Sequence, residues 1–160
     1  MNGIERYYMS GTFEKTLQPF WNKVKNHNVL TLSTSSNNRV SSRQVSVIIH
    51  NEKFYFQTNE NFLKFRQISE NPNAALNFKS YSIEGKCRCI GKPDEPQNAF
   101  FLEFFRKHFY IAYKLYSCIV TERLIEFSPT LIYNWGYEKT KPFMEYWDFE
   151  KHTYTKEYKG

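Results

Sequence analysis

The feature that most constrains this chain is the stretch from residue 29 to residue 58, where strand-forming residues run in three segments separated by two tight turns. Val29 to Ser35 reads as a strand, Ser36-Asn37-Asn38 as a turn and Arg39 to His50 as a long second strand. Asn51-Glu52-Lys53 then turns the chain into a third strand, Phe54 to Thr58. Three strands joined so closely must be antiparallel neighbours, because a parallel crossover needs a dozen or so residues. The chain is therefore built on a β-meander.

The flanking segments add helices and more strands. Phe13, Leu17, Phe20, Trp21 and Val24 form a stripe at helical spacing within residues 12–26, which predicts an amphipathic helix covering something apolar. Asn59 to Asn61 offer caps for a short helix, Phe62 to Glu70, with Phe65 and Ile68 facing inward. Asn71-Pro72-Asn73 ends it, since the residue before proline avoids the α region. Strands are expected at Ala74 to Phe78 and Ile83 to Gly91, then a loop at Lys92 to Pro96 and an aromatic helix at Gln97 to His108. Cys118 to Phe127 and Thr130 to Tyr137 read as two strands with Pro129 in the turn between them. Lys139 to Pro142 reads as a turn, Met144 to Phe149 as strand or loop, and Glu150 to Gly160 as a loosely held polar tail. Strands with helical insertions, rather than strict βαβ alternation, predict a mainly β (α+β) antiparallel barrel or sandwich in a single domain, residues 1–160.

Composition excludes several classes. A hydrophobic fraction of 41% with 15 Phe, 12 Tyr and 3 Trp is incompatible with disorder. The net charge of +6 favours an anionic partner, but the basic residues are scattered, with Arg106-Lys107-His108 the longest cluster. A nucleic-acid module shows a denser stripe, so nucleic acid is not the expected partner. Cys87, Cys89 and Cys118 leave an odd count, and Cys87-Arg88-Cys89 has no second ligand pair at metal spacing, so buried, inert thiols and no metal are expected. His27, His50, His108 and His152 stand alone and read as structural or solvent-exposed. Residues 1–15 carry no apolar leader and no window reaches a membrane span, which points to a reduced, cytoplasmic protein.

Two features carry chemistry. Arg43, Val45, Val47 and Ile49 share one face of the second strand, and an arginine heading an apolar row needs an anion or a path to water. Thr58 ends the third strand, and Lys64 follows in the first turn of the next helix, where a cation opposes the helix dipole unless an anion is bound. Thr58 lies seven residues after Asn51 and Arg43 eight before it, so the turn brings both to one end of the sheet. One guanidinium, one hydroxyl, one ammonium and a helix N-terminus converge as a phosphate monoester site would require.

The runs Val40-Ser41-Ser42-Arg43-Gln44-Val45, Phe54-Tyr55-Phe56-Gln57-Thr58, Leu63-Lys64, Asn71-Pro72-Asn73-Ala74-Ala75-Leu76 and Ile83-Glu84-Gly85-Lys86-Cys87-Arg88-Cys89-Ile90-Gly91 stand in an order and spacing that resembles the pyridoxamine 5′-phosphate oxidase-like, FMN-binding split-barrel family. The resemblance implies a six-stranded antiparallel split barrel, a homodimer and FMN at the subunit interface. It implies that Arg43 and Lys64 hold the flavin phosphate and that Gln44, Val45, Ser46, Val47 and Ile48 lie along the flavin ring. Gln57 and Thr58 match the strand-end pair that contacts the ribityl-phosphate arm, and Leu63, beside Lys64, is counted among the cofactor-binding positions. Lys86 stands where the oxidase has a glutamine that reaches the flavin from the other subunit. Ile48 also replaces the oxidase's substrate-phosphate lysine, and the C-terminal arginine-any-histidine motif is absent, so oxidation of pyridoxamine 5′-phosphate is not expected.

The readings that stay open are an FMN-dependent oxidoreductase acting on an unidentified small molecule, and a non-catalytic carrier of FMN or another flat cofactor such as haem. The aromatic stretch of Phe100, Phe101, Phe104, Phe105, Phe109, Tyr110, Tyr113 and Tyr116 reads as core, as a dimer face, or as a wall over the flavin.

Overall fold

The computed structural model describes residues 6–8 and 13–159. Most of the segment read above as lacking an apolar leader lies outside these residues. The element order is β1 (Arg6–Tyr8), α1 (Phe13–Val24), β2 (His27–Ser36), β3 (Arg39–His50), β4 (Lys53–Asn59), α2 (Leu63–Glu70), β5 (Asn73–Phe78), β6 (Tyr81–Cys89), α3 (Ala99–His108), α4 (Tyr110–Tyr116), β7 (Glu122–Glu138), β8 (Lys141–Asp148) and β9 (Thr153–Tyr158).

Strands β7, β4, β3, β2, β5 and β6 are antiparallel neighbours in that order, and β6 pairs back onto β7. The result is a closed six-stranded barrel. The expected β-meander is its β2–β3–β4 portion, with left-handed Asn37-Asn38 and Asn51-Glu52 at the two turns. Alternate residues point inward and form one core: Leu30 and Leu32 from β2, Val45, Val47 and Ile49 from β3, Phe54 and Phe56 from β4, and Ile83, Phe127 and Ile132 from the far wall. The stripe of α1 buries Phe13, Leu17, Phe20 and Val24 in that same core. Each fully buried large side chain contributes roughly 1.5–3 kcal/mol, so α1 holds its place by that stripe.

Three expectations need correction. Residues 122–138 form one continuous strand, and Pro129 lies inside it. There β7 has left β4, whose last partner is Phe127, and has not yet met β8, whose first partner is Leu131. A residue without an N–H is tolerated at such a handover, and the register on β6 shifts between Glu84 and Gly85, opposite Pro129. Gly85 is required at this bulge, because a Cβ there would collide with the Ser128 carbonyl and the Phe127 ring. Second, residues 118–121 precede the strand instead of belonging to it, and Cys118 and Cys89 are exposed; only Cys87 is a buried thiol, with its pKa pushed up to about 12 by burial. Third, the polar tail is ordered: β9 pairs with β8 and with β1, so the strands continue past the barrel as a sheet extension.

The helix α4 was not expected. Phe109 leaves helical geometry (φ −132°, ψ 50°) and separates it from α3. Phe101 and Phe105 of α3 pack with Ile48, Tyr55 and Leu124 in a second cluster on the outside of the barrel. Part of the aromatic stretch is therefore core, while Tyr110, Ile111, Leu115 and Tyr116 remain exposed.

Candidate functional site

The site begins where the barrel wall fails to pair. Strand β3 is registered with β2 from Arg39 to Ile48, all but its last two residues. With β4 it is registered only at Ile48, Ile49 and His50. The two strands then part, so the β4-facing edge of residues 43–47 is left without a strand partner. Backbone N–H and C=O groups at such an edge call for another partner.

A cavity of about 420 Å³ fills this split. Gln44, Val45 and Ser46 line it from β3, Gln57, Thr58 and Asn59 from β4, and Phe62 and Lys64 from the start of α2. Phe105, Ala112, Tyr116 and Ile119 supply an apolar wall, and Glu122 closes it at the start of β7. The size lies within the range of small-molecule sites, roughly 300–1,000 Å³.

Its polar side chains are held from behind. Arg43 points inward, as the period-2 pattern requires, and lies just behind the lining. Its Nη1 donates to Thr34 Oγ1 at 2.6 Å and to the Leu32 carbonyl at 3.4 Å. Thr34 donates in turn to Gln67 Oε1 at 2.6 Å, and Gln67 Nε2 donates to the Arg39 carbonyl at 2.9 Å. Thr34 and Gln67 are almost wholly buried, so this chain fixes one edge of the guanidinium. On β4, Ser117 donates to Gln57 Oε1 at 2.7 Å and Asn59 Nδ2 donates to Thr121 Oγ1 at 2.6 Å, tying the strand end to the segment after α4.

Charge at the cavity is unbalanced. Burial lowers the pKa of Lys64, the Arg43 charge lowers it further, and Glu122 partly offsets both. Burial likewise lowers the pKa of Arg43. Neither cation makes an ion pair among the described residues. Glu122, 5% exposed, is shifted up to about 7 by burial, against the opposing pull of Lys64 and Arg123.

Of the residues singled out from sequence, the structure brings Gln44, Val45, Ser46, Gln57, Thr58 and Lys64 into one cavity, with Arg43 directly behind. Val47 and Ile48 have their side chains buried in the two clusters; only the backbone of Val47 faces the split edge, because Ile48 is paired with Tyr55 of β4. Leu63 lines a separate groove beside Arg39 and Arg66. Lys86 is exposed on β6, paired with Asn73 and Ser128, and does not line the cavity of its own chain. Sequence reasoning missed Asn59, Phe62, Ile119 and Glu122. The first two flank predicted positions; Glu122 is a lone acid whose place depends on where β7 starts.

The structure is a split antiparallel barrel with a lysine-bearing cavity at the break. The chain belongs to the pyridoxamine 5′-phosphate oxidase family, whose sequence model matches residues 13–136. No curated protein matches it. Similar solved structures include PhzG from Burkholderia lata 383, in complex with tetrahydrophenazine-1-carboxylic acid, at 13% identity and TM-score 0.64, covering 95% of this chain and 98% of that one. A pyridoxamine 5′-phosphate oxidase-related, FMN-binding protein from Nostoc punctiforme aligns at 16% identity and TM-score 0.57, covering 94% and 96%. HutZ, the haem storage protein from Vibrio cholerae, aligns at 12% identity and TM-score 0.58, covering 73% and 89%. At these identities the likeness is one of fold. Among the described residues no helix is long and apolar enough to cross a membrane, and no cluster of His, Cys, Asp and Glu has the makings of a metal site.

Proposed function

We propose that the cavity at the split binds FMN and that the chain is an FMN-dependent oxidoreductase acting on a small molecule. The observation that carries this reading is the pair of unpaired cations, Arg43 and Lys64, beside the hydroxyl of Thr58 at the mouth of an unpaired strand edge. A phosphate monoester satisfies the cations. The backbone of residues 44–47 offers hydrogen bonds to a flat polar ring, and Phe105, Ala112, Tyr116 and Ile119 offer the ring an apolar surface. Gln57 keeps its amide nitrogen free to donate, since its oxygen is held by Ser117. When bound, FMN supplies the electron transfer, and the protein supplies orientation and access.

The chain is proposed to act as a homodimer with FMN at the interface. Tyr110, Ile111, Leu115 and Val120, between 55% and 76% exposed, form an apolar surface on α4 and the segment after it, which a second copy would cover. Lys86 reaches a flavin only from such a second copy. Pyridoxamine 5′-phosphate oxidation is not expected, because Ile48 lies under Phe101 and Phe105 and offers no cation to a second phosphate.

Haem is the other reading, favoured by the similarity to HutZ. Against it, the cavity lining contains no His, Cys or Met to bind iron and offers only the phenol of Tyr116 as an axial ligand. The test is the absorption spectrum of the purified protein and its titration with FMN and with haem. Uptake of one FMN per chain with a flavin spectrum supports the proposal. A Soret band on haem addition, with no FMN uptake, replaces it. Light scattering of the FMN-loaded protein at micromolar concentration is expected to give a dimer mass; a monomer with FMN still bound rejects the interface.

A further inference from the structure

Glu122 is the one acidic side chain lining the cavity, and it is out of keeping with a site for an anion. It is the first residue of β7 and pairs with Asn59, the last of β4, so backbone register fixes it at the open end of the split, four residues beyond the last β3–β4 pair at Tyr55. Its carboxyl makes no hydrogen bond or ion pair among the described residues. The neighbouring Arg123 does not pair with it: that guanidinium binds Glu60 at 2.6 Å and donates to the carbonyls of Val120 and Glu122. From α2, Lys64 faces Glu122 across the cavity, with Arg43 of β3 behind Lys64. From α4 the only titratable side chain in the lining is Tyr116, and β3 and β4 contribute only Gln44, Val45, Ser46, Gln57, Thr58 and Asn59.

A phosphate held by Arg43 and Lys64 thus shares a half-buried cavity with a carboxyl that makes no hydrogen bond or ion pair among the described residues and feels only the longer-range pull of Lys64 and Arg123. Two anions in such a place repel, and a proton on one of them relieves the repulsion. We propose that Glu122 binds a proton together with the phosphate monoester, so that the site takes up its anionic ligand and one proton as a unit. The proton comes from solvent and resides on the Glu122 carboxyl, which then donates to a ligand oxygen instead of repelling it. Burial already holds this carboxyl partly protonated near neutrality, so little reorganisation is needed. The inference rests on the phosphate site proposed above.

The test is FMN titration of the full-length protein by flavin fluorescence between pH 6 and pH 9, for wild type and Glu122→Gln. The glutamine is a neutral isostere, and the ratio of the two affinities cancels the titration of the phosphate itself, whose second pKa is about 6. With Glu122 titrating near pH 7, wild-type affinity relative to the variant is expected to fall roughly fivefold from pH 7 to pH 8 and further by pH 9. Calorimetry of wild type in buffers of different ionisation enthalpy is expected to show uptake approaching one proton per FMN at pH 8, a readout independent of whether the variant folds. A ratio constant across the pH range, or no proton uptake at pH 8, overturns the proposal while leaving the phosphate site intact. Absence of FMN binding at every pH in wild type overturns both.

Discussion

The two seams of the barrel make a direct comparison. On the closed side, β6 and β7 are registered from Tyr81 to Cys89 with a single bulge between Glu84 and Gly85, and Ile83, Phe127 and Ile132 are fully buried along the inner face. The buried acid there is paired. Glu126 accepts from Arg88 at 2.8 Å, Lys53 at 3.1 Å and the Tyr55 hydroxyl at 3.1 Å. On the open side, β3 and β4 are registered only from Ile48 to His50, and Arg43, Lys64 and Glu122 have no ionic partners among the described residues. A wall that pairs its backbone and its charges internally has nothing left for a ligand. The split wall leaves both unsatisfied at one place, and that is where binding is expected.

The largest effect is expected from emptying the open seam of its cations. Charge-assisted contacts contribute roughly 1.5–3 kcal/mol each, so Arg43→Ala with Lys64→Ala is expected to weaken FMN binding by two to four orders of magnitude. Equilibrium titration checks this, and unchanged affinity removes the distinction between the seams. At the closed seam the loss is expected in stability instead. Phe127→Ala leaves a cavity in the core and is expected to lower unfolding free energy by about 3–5 kcal/mol in denaturant titration, with FMN affinity per folded molecule unchanged.

Much of this contrast is legible in the sequence. The turns at Asn37-Asn38 and Asn51-Glu52 and the alternation through Arg43, Val45, Val47 and Ile49 place the β2–β3–β4 strands and one wall of the site, because both are local signals. The rest depends on long-range register. Pro129 reads as a turn because proline interrupts most strands; only the handover from β4 to β8 makes it harmless inside β7. The polar tail reads as loose because its pairing partners, β8 and β1, are set by topology and not by apolar content. Glu122 was invisible for the same reason: nothing near it in sequence shows that β7 begins opposite Asn59.

A smaller effect separates scaffold from site within the open seam. Thr34→Val breaks the chain from Arg43 through Thr34 to Gln67 and leaves buried polar groups unpaired. A stability loss of about 1–3 kcal/mol is expected, with weaker FMN binding because the guanidinium loses its fixed edge. An FMN affinity equal to wild type would show that Arg43 needs no such support.

The smallest effects are in the pH dependence of the ligand-free protein, and they have opposite signs at the two seams. Burial alone would raise the pKa of Glu126, but Lys53, Arg88 and Tyr55 hold it below its ordinary value of 4.5. Its stabilisation is therefore present above that value and lost as pH falls through the lower, folded one. Glu126→Gln is expected to flatten the acid limb of the stability curve by on the order of 1 kcal/mol. Glu122 is shifted the other way, so the folded chain holds more protons than the unfolded one between about 4.5 and 7, and stability declines as pH rises through that window. Glu122→Gln is expected to flatten this limb; urea titrations at pH 5 and pH 8 check the Glu122 sign, and titrations at pH 3 and pH 5 check that of Glu126.

The most direct test of the open seam is the affinity for FMN against that for riboflavin, which differ only in the phosphate. Arg43, Lys64 and Thr58 are assigned to that group, so riboflavin is expected to bind at least about a hundredfold more weakly at neutral pH. Equal dissociation constants for the two flavins would contradict the assignment of the split to phosphate binding.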